Sequence, residues 1–177
     1  TRTFTGHTDT VNRLAFGTDG GNRLISASYD RTLRFWDVAS TKPVKTIAIE
    51  PEFVTNITAP PAGPWIMLYV AFERRIRLLN MLNGESKNVR LSGFDAVAAF
   101  SPNGKWLALG TESEPGASRS DIALWTADGA ALVTKFVGHT RRVEALAFSS
   151  DSTRLVSSGG DYTIKVWKLP EGTTEQR

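Results

Sequence analysis

The stretch GHTDTVNRLAFGTDGGNRLISASYDRTLRFWDV, residues 6–38, returns near the other end of the chain as GHTRRVEALAFSSDSTRLVSSGGDYTIKVWKL, residues 138–169. His7 and His139 stand 132 positions apart, and Val11 with Val143 and Phe16 with Phe148 keep that offset. Asp30 with Asp161 and Trp36 with Trp167 follow at 131. A repeat constrains folding because each copy is one supersecondary unit that buries its apolar face only against a neighbouring unit. The offset leaves room for two more copies of about 44 residues each. Both are present in degenerate form. AFERRIRLLN (71–80) lies 43 positions after SYDRTLRFWD (28–37), and AVAAFSPNGKWLALGT (96–111) followed by DIALWT (121–126) supplies the other.

Within each copy apolar and polar residues alternate with period 2 between turn residues, and no segment sustains a helical period, so the chain reads as all-β. The GH dipeptide, an Asp in a tight turn and a Trp-Asp or Trp-Lys pair at fixed distances resemble WD40-repeat β-propellers. The resemblance implies four four-stranded antiparallel blades over residues 1–170. Blade one covers about 6–49, blade two about 50–91, blade three about 92–136 and blade four about 138–169, with 171–177 a flexible tail. In family terms strands a, b and c are followed by an outer strand d. TRTF at the start matches ALVTKF before the second GH, so residues 1–5 read as a strand d that completes blade four. Blade two is eroded, with Glu50 in the place of His and Leu79 in that of Trp. Blade three keeps Trp125, has Phe94 where His is expected, and carries an insertion, roughly Glu112 to Ser120, that reads as an exposed loop.

For the recurring polar residues the resemblance implies a hydrogen-bonded relay. In blade one it runs from the Trp36 indole to Ser26, His7 and Asp30; in blade four from Trp167 to Ser157, His139 and Asp161. Each member is costly to lose once the others are buried. Ser, His and Asp also suggest a hydrolase triad, and His with Asp a metal site. Against both, these are the chain's two histidines, each at the family's structural position and each repeated with its spacing. There is no phosphate-binding glycine loop, nucleophile elbow or paired-carboxylate motif. The reading is therefore a protein with no catalytic residues, no metal and no cofactor. Asn56-Ile57-Thr58 is formally a glycosylation sequon, but it falls on strand a of blade two and reads as chance.

In this family three positions per blade tend to touch partners: the third and fifth residues after the His, and the residue before the turn Asp. Carried over, these are Thr10, Asn12 and Tyr29 in blade one, Phe53, Thr55 and Phe72 in blade two, and Arg142, Glu144 and Gly160 in blade four. Tyr29, Phe53 and Phe72 would form an aromatic patch of the kind that binding hot spots favour. The competing reading is that the two Phe fill the space left by the His and Trp that blade two lacks.

Composition narrows the partner. A net charge of +3 is modest, and Lys and Arg are spread through every repeat rather than gathered on one face, which disfavours nucleic acid. The longest apolar run, Trp65 to Phe72, is far short of the ~20 residues of a membrane helix. No cysteine is present, which excludes disulfides and thiolate metal sites and fits a reducing, cytoplasmic setting. The start at Thr1 without Met or a leader reads as a processed product or an excised piece.

The expectation is a non-enzymatic scaffold that presents loops to a protein or peptide. The alternative is a regulatory or sensor module of a larger kinase, protease or nucleotide-binding receptor. Four blades are too few for the seven- or eight-bladed rings usual in the family, and an open arc leaves apolar faces uncovered. A homodimer of eight blades, a larger propeller with further blades, or a tight four-bladed ring each covers them. The blade geometry of the family favours the larger rings.

Overall fold

The computed structural model describes residues 1–17, 22–49, 54–70, 75–90, 96–111 and 120–170. Among these every regular element is a strand. The chain divides into two compact units, Thr1–Leu91 and Ser92–Arg177, each holding two antiparallel sheets.

In the first unit one sheet is built from β1 (Val11–Phe16), β2 (Arg23–Ser28), β3 (Thr32–Asp37) and β4 (Pro43–Ala48), in chain order. The next takes β5 (Val54–Thr58), β6 (Trp65–Val70), β7 (Arg75–Asn80) and β8 (Ser86–Arg90). In the second unit a sheet comprises β9 (Ala96–Phe100), β10 (Trp106–Thr111), β11 (Ser120–Thr126) and β12 (Leu132–His139). The last has three strands, β13 (Val143–Phe148), β14 (Arg154–Gly159) and β15 (Ile164–Lys168). These are the meandering blades that the turn spacing predicts.

Period-2 alternation gives each sheet two faces, and within each unit the core lies where its two blades face each other. In the first unit Ile25, Ala27, Leu33 and Phe35 of blade one lie against Val54, Ile57, Ile66 and Leu68 of blade two. In the second, Ala108, Ile122 and Leu124 of blade three lie against Val143 and Leu155 of blade four. Each such Val, Leu, Ile or Phe side chain contributes about 1.5–3 kcal/mol by leaving water. Gly110 permits the second contact: a Cβ there would stand 2.8 Å from Cγ1 of Val143.

Blade two holds together without a Trp. Leu79 and Asn80 stand at the positions of Trp36 and Asp37, and Leu79 is buried with Ile66, Met67 and Leu68. Asn80 keeps the turn chemistry, its Oδ1 accepting the amide of Leu82 at 2.9 Å as Asp37 Oδ1 accepts that of Ala39 at 2.8 Å. Apolar packing replaces the polar relay while the turn between strands c and d is preserved.

Two details differ from the sequence reading. Ser120, assigned to the insertion in blade three, is the buried first residue of β11 and faces His139 across the ladder; residues 112–119 lie outside the described residues. Among the described residues, 1–5 are assigned to no strand and run along blade one. Phe4 meets Trp36 edge-on with ring centroids 5.7 Å apart, and Arg2 Nη1 donates to the Val38 carbonyl at 2.5 Å. The turn at 18–21, Glu50, Phe94 and the tail at 171–177 also lie outside the described residues.

Candidate functional site

The loops that enter strand a and join strands b and c share one end of each blade, and the relay residues lie beneath them. In blade one Trp36 Nε1 donates to Ser26 Oγ at 2.8 Å, Ser26 Oγ is 2.7 Å from His7 Nε2, and His7 Nδ1 is 2.7 Å from Asp30 Oδ2. The carboxylate can only accept, so Nδ1 carries the proton and Nε2 accepts from the Ser26 hydroxyl. The relay therefore runs in one direction, from indole to carboxylate. Blade four repeats it: Trp167 to Ser157 at 2.8 Å, Ser157 to His139 at 2.8 Å, His139 to Asp161 at 2.9 Å. The histidine is nearly or fully enclosed in both blades.

A fifth member was not singled out from the sequence. Thr32 donates from both its hydroxyl (2.6 Å) and its amide (3.0 Å) to Asp30 Oδ1, and Thr163 does the same to Asp161 Oδ1 at 2.8 and 3.1 Å. The signal was present in the shared pattern Asp-x-Thr of both copies. The other oxygen accepts the amide of Thr8 or Thr140, which closes the loop entering strand a. Burial would push the Asp30 carboxyl up, but the bonds from Thr32, His7 and the Thr8 amide outweigh it and hold it well below the usual carboxylate range. Asp161 is depressed in the same way, against desolvation, by Thr163, Thr140 and His139. Both ring nitrogens of each His, and both oxygens of each Asp, are spent on internal bonds. What the arrangement does chemically is tie two strands and two loops of a blade together. Among the described residues no group of His, Cys, Asp or Glu has the geometry to hold a metal ion.

Above this network the partner positions fall into two kinds. Thr10 and Tyr29 are brought together by a bond from the Tyr29 amide to the Thr10 carbonyl at 3.0 Å, and Arg142 and Gly160 by the equivalent bond at 2.9 Å. Tyr29 is half exposed, and Arg142 is open to solvent with Nη2 2.9 Å from Glu144 Oε2. Asn12, Thr55 and Glu144 share a different feature. The ladders of β1 with β2, β5 with β6 and β13 with β14 each slip by one residue between Val11 and Arg13, Val54 and Asn56, and Val143 and Ala145. These bulges leave Asn12, Thr55 and Glu144 without a cross-strand partner and re-aim them.

The three residues then have different fates. Glu144 is exposed, whereas Asn12 turns into the junction between blades, its Nδ2 donating to the Val54 carbonyl at 2.9 Å. Its neighbour Arg13 bonds the carbonyl of Thr55. These two residues tether blade one to blade two, a role their local sequence does not announce. Phe53 and Phe72 lie outside the described residues. Tyr162 was passed over by the sequence reading although it is 92% exposed, lies in the b–c turn of blade four at φ +64°, and has the Arg141 guanidinium 5.9 Å from its ring centre. Only its place directly after the turn Asp could have marked it.

Small antiparallel sheets, the first and the last pinned by a Trp-Ser-His-Asp relay under their loops, define blades of the WD40 type. The model described as WD domain, G-beta repeat matches residues 1–37 and 130–168, and the chain belongs to this WD40-repeat family. The nuclear distribution protein PAC1 of Coccidioides posadasii is 31% identical over 195 residues, which cover 96% of this chain and 41% of that protein. The nuclear distribution protein nudF of Aspergillus niger is 28% identical over 188 residues, covering 97% and 42%. The WD repeat-containing protein sll1491 of Synechocystis is 31% identical over 150 residues, covering 80% and 40%. The chain thus spans between 40% and 42% of the length of these relatives.

Proposed function

We propose that the chain is a non-enzymatic protein–protein interaction scaffold whose blade-end loops, with Thr10 and Tyr29 in the first unit and Arg142 and Glu144 in the second, receive a protein or peptide. The carrying observation is the division of labour at those loops. Every polar group of the two His-Asp pairs is consumed inside the blade, while an aromatic ring and charged side chains stand exposed directly above. Tyr and Arg are the residues from which binding hot spots are built. The names of the PAC1 and nudF relatives associate them with nuclear distribution rather than with a reaction, which is in keeping with a scaffold. The lack of cysteine supports a cytoplasmic setting.

A second reading, a regulatory or sensor module within a longer protein, draws on the coverage: the aligned relatives are more than twice the length of the matched segment. Both readings use the same loops and differ in what they control.

Selection of a displayed peptide library on the purified chain tests the proposal. Ligands so obtained should bind Tyr29→Ala and Arg142→Ala about tenfold or more weakly than the parent, with melting temperatures shifted by less than about 2 °C. Ligands that bind both variants as tightly as the parent would place the recognition surface elsewhere.

A further inference from the structure

At the end of the first unit opposite Thr10 and Tyr29, blades one and two leave a cavity of about 330 Å³ between them. Ile25 and Phe35 of blade one and Pro64, Met81 and Leu82 of blade two line it, with Lys45 beside them. Ile25 and Phe35 are buried and form its floor, while Leu82, 82% exposed, stands at its lip. The volume is at the lower end of the roughly 300–1,000 Å³ that ligand sites enclose, which suits one large side chain rather than an extended cofactor.

The second unit closes the equivalent place with its own chain. The amide of Gly17 bonds the carbonyl of Arg23 at 2.8 Å as that of Ser101 bonds Trp106 at 3.0 Å, so Arg23 and Trp106 occupy one position of their blades. On the facing blades Met81 bonds Pro64 and Leu169 bonds Thr153 in the same way, so Met81 corresponds to Leu169 and Gly63 to Ser152. Trp106 packs on the cluster that holds Ala108 and Leu169. The Asn103 amide donates to Ser152 Oγ at 3.1 Å, from blade three to blade four. In the first unit Arg23 stands exposed at the position of that indole, and Gly63 has no hydroxyl to receive a bond. What this end of the first junction lacks is an aromatic ring.

The charge beside the cavity is one-sided. Arg23 stands opposite Asp37 in the ladder of β2 with β3 and is answered by that carboxylate. Lys45 is half-buried, with Nζ 3.0 Å from the Met81 carbonyl, its one hydrogen bond among the described residues. An ammonium has three N–H donors, and no carboxylate is among the described residues that line the cavity. A ring with a carboxylate beside it matches both the apolar floor and this charge.

We infer that the cavity receives the aromatic side chain of a protein partner, an indole or a ring of similar size, with a carboxylate next to it in the same peptide bonding the Lys45 ammonium. Aromatic rings carry a large apolar area on one side chain and are what binding hot spots favour. Leu82, at the lip, offers the flanking residues of that peptide an apolar surface. The site lies at the far end of blade one from Thr10 and Tyr29 and is independent of binding at those loops.

Methyl NMR on the 177-residue chain, titrated with acetyl-Trp-Asp-amide, tests the inference. The Ile25, Met81 and Leu82 methyl signals should shift saturably with a Kd of about millimolar or tighter, while that of Thr10 stays in place. Acetyl-Ala-Asp-amide should produce no shift. Acetyl-Trp-Asn-amide should bind about threefold more weakly, a difference that Lys45→Gln should erase. Arg23→Trp gives blade one the residue of blade three; it should keep the parent's circular dichroism, melt no lower, and lose the acetyl-Trp-Asp-amide shifts. No shift at Met81 and Leu82, or equal binding of the alanine peptide, overturns the inference. So does undiminished binding by a folded Arg23→Trp, or a preference for Asp over Asn that survives Lys45→Gln. Indolepropionate that shifts these signals where the peptide does not would make the occupant a small aromatic acid and overturn it as well.

Discussion

Nε1 of Trp36 and Oγ of Ser26 lie 2.8 Å apart, and the same distance separates Trp167 from Ser157. Each pair joins strands c and b of one blade, and each serine also serves the histidine. Ser26→Ala should orphan the Trp36 indole and leave His7 Nε2 without a donor, at about 1–3 kcal/mol for each buried group. The melting temperature is expected to drop by several degrees, with Ser157→Ala behaving alike. In a double-mutant cycle, Ser26→Ala with His7→Ala should cost less than the sum of the two single changes. Additive losses would mean that the relay does not act as a unit.

The acid limb of stability has a defined origin. Asp30 and Asp161 titrate below the ordinary value of 3.8 in the folded chain. A depressed folded value gives stabilisation that is complete above the unfolded value and lost as pH falls toward the folded one. The melting temperature should be level above about pH 5 and decline below about pH 4. Asp30→Asn with Asp161→Asn should lower the plateau and flatten the decline. An acid limb unchanged in that double variant would assign the titration to other carboxylates.

Asn12 offers a test of the tether between blades. Its Nδ2 satisfies the Val54 carbonyl, while among the described residues its buried Oδ1 has no hydrogen-bond partner. Asn12→Ala should cost about 1 kcal/mol, the net worth of one hydrogen bond. Asn12→Asp should cost more at neutral pH by setting a carboxylate against a carbonyl. Since protonation would restore a donor, the folded pKa of that Asp should be raised, and its penalty should shrink as pH is lowered toward 5. Equal, pH-independent losses in chemical denaturation of the two variants would rule out the tether.

Gly110 is held by space rather than by backbone angle. An added Cβ would lie 2.8 Å and 2.9 Å from Cγ1 and Cβ of Val143, the latter fixed at the base of the side chain. Gly110→Ala should lose about 1–3 kcal/mol through overpacking. Adding Val143→Ala should recover part of that loss, although Val143→Ala is itself destabilising in the parent. If the two losses simply add, the contact does not govern this junction.

The strands and the relay were legible because both rest on short-range regularities. Alternation fixes which residues share a face, and the offsets of 132 and 131 positions align His7 with His139 and Trp36 with Trp167. Once those faces are set, Trp, Ser, His and Asp have few other acceptors and donors within reach. Thr32 and Thr163 escaped notice only because a Thr after a turn Asp has many ordinary roles. Asn12 was legible as a position but not as a contact: a one-residue bulge, which no residue type encodes by itself, turned its amide to a carbonyl 42 residues away.

Val11 and Val143 mark where sequence stops. They sit in the same repeat, follow the same GHT, and precede the same Leu and Phe at the same spacing, yet one is 45% exposed and the other 2%. By itself the sequence determined that each Val stands on the apolar face of a first strand, because side-chain direction follows the pleat. Only the tertiary structure decided which of them is covered. Burial is a property of the neighbouring blade, and local residues carry no information about whether that neighbour is there.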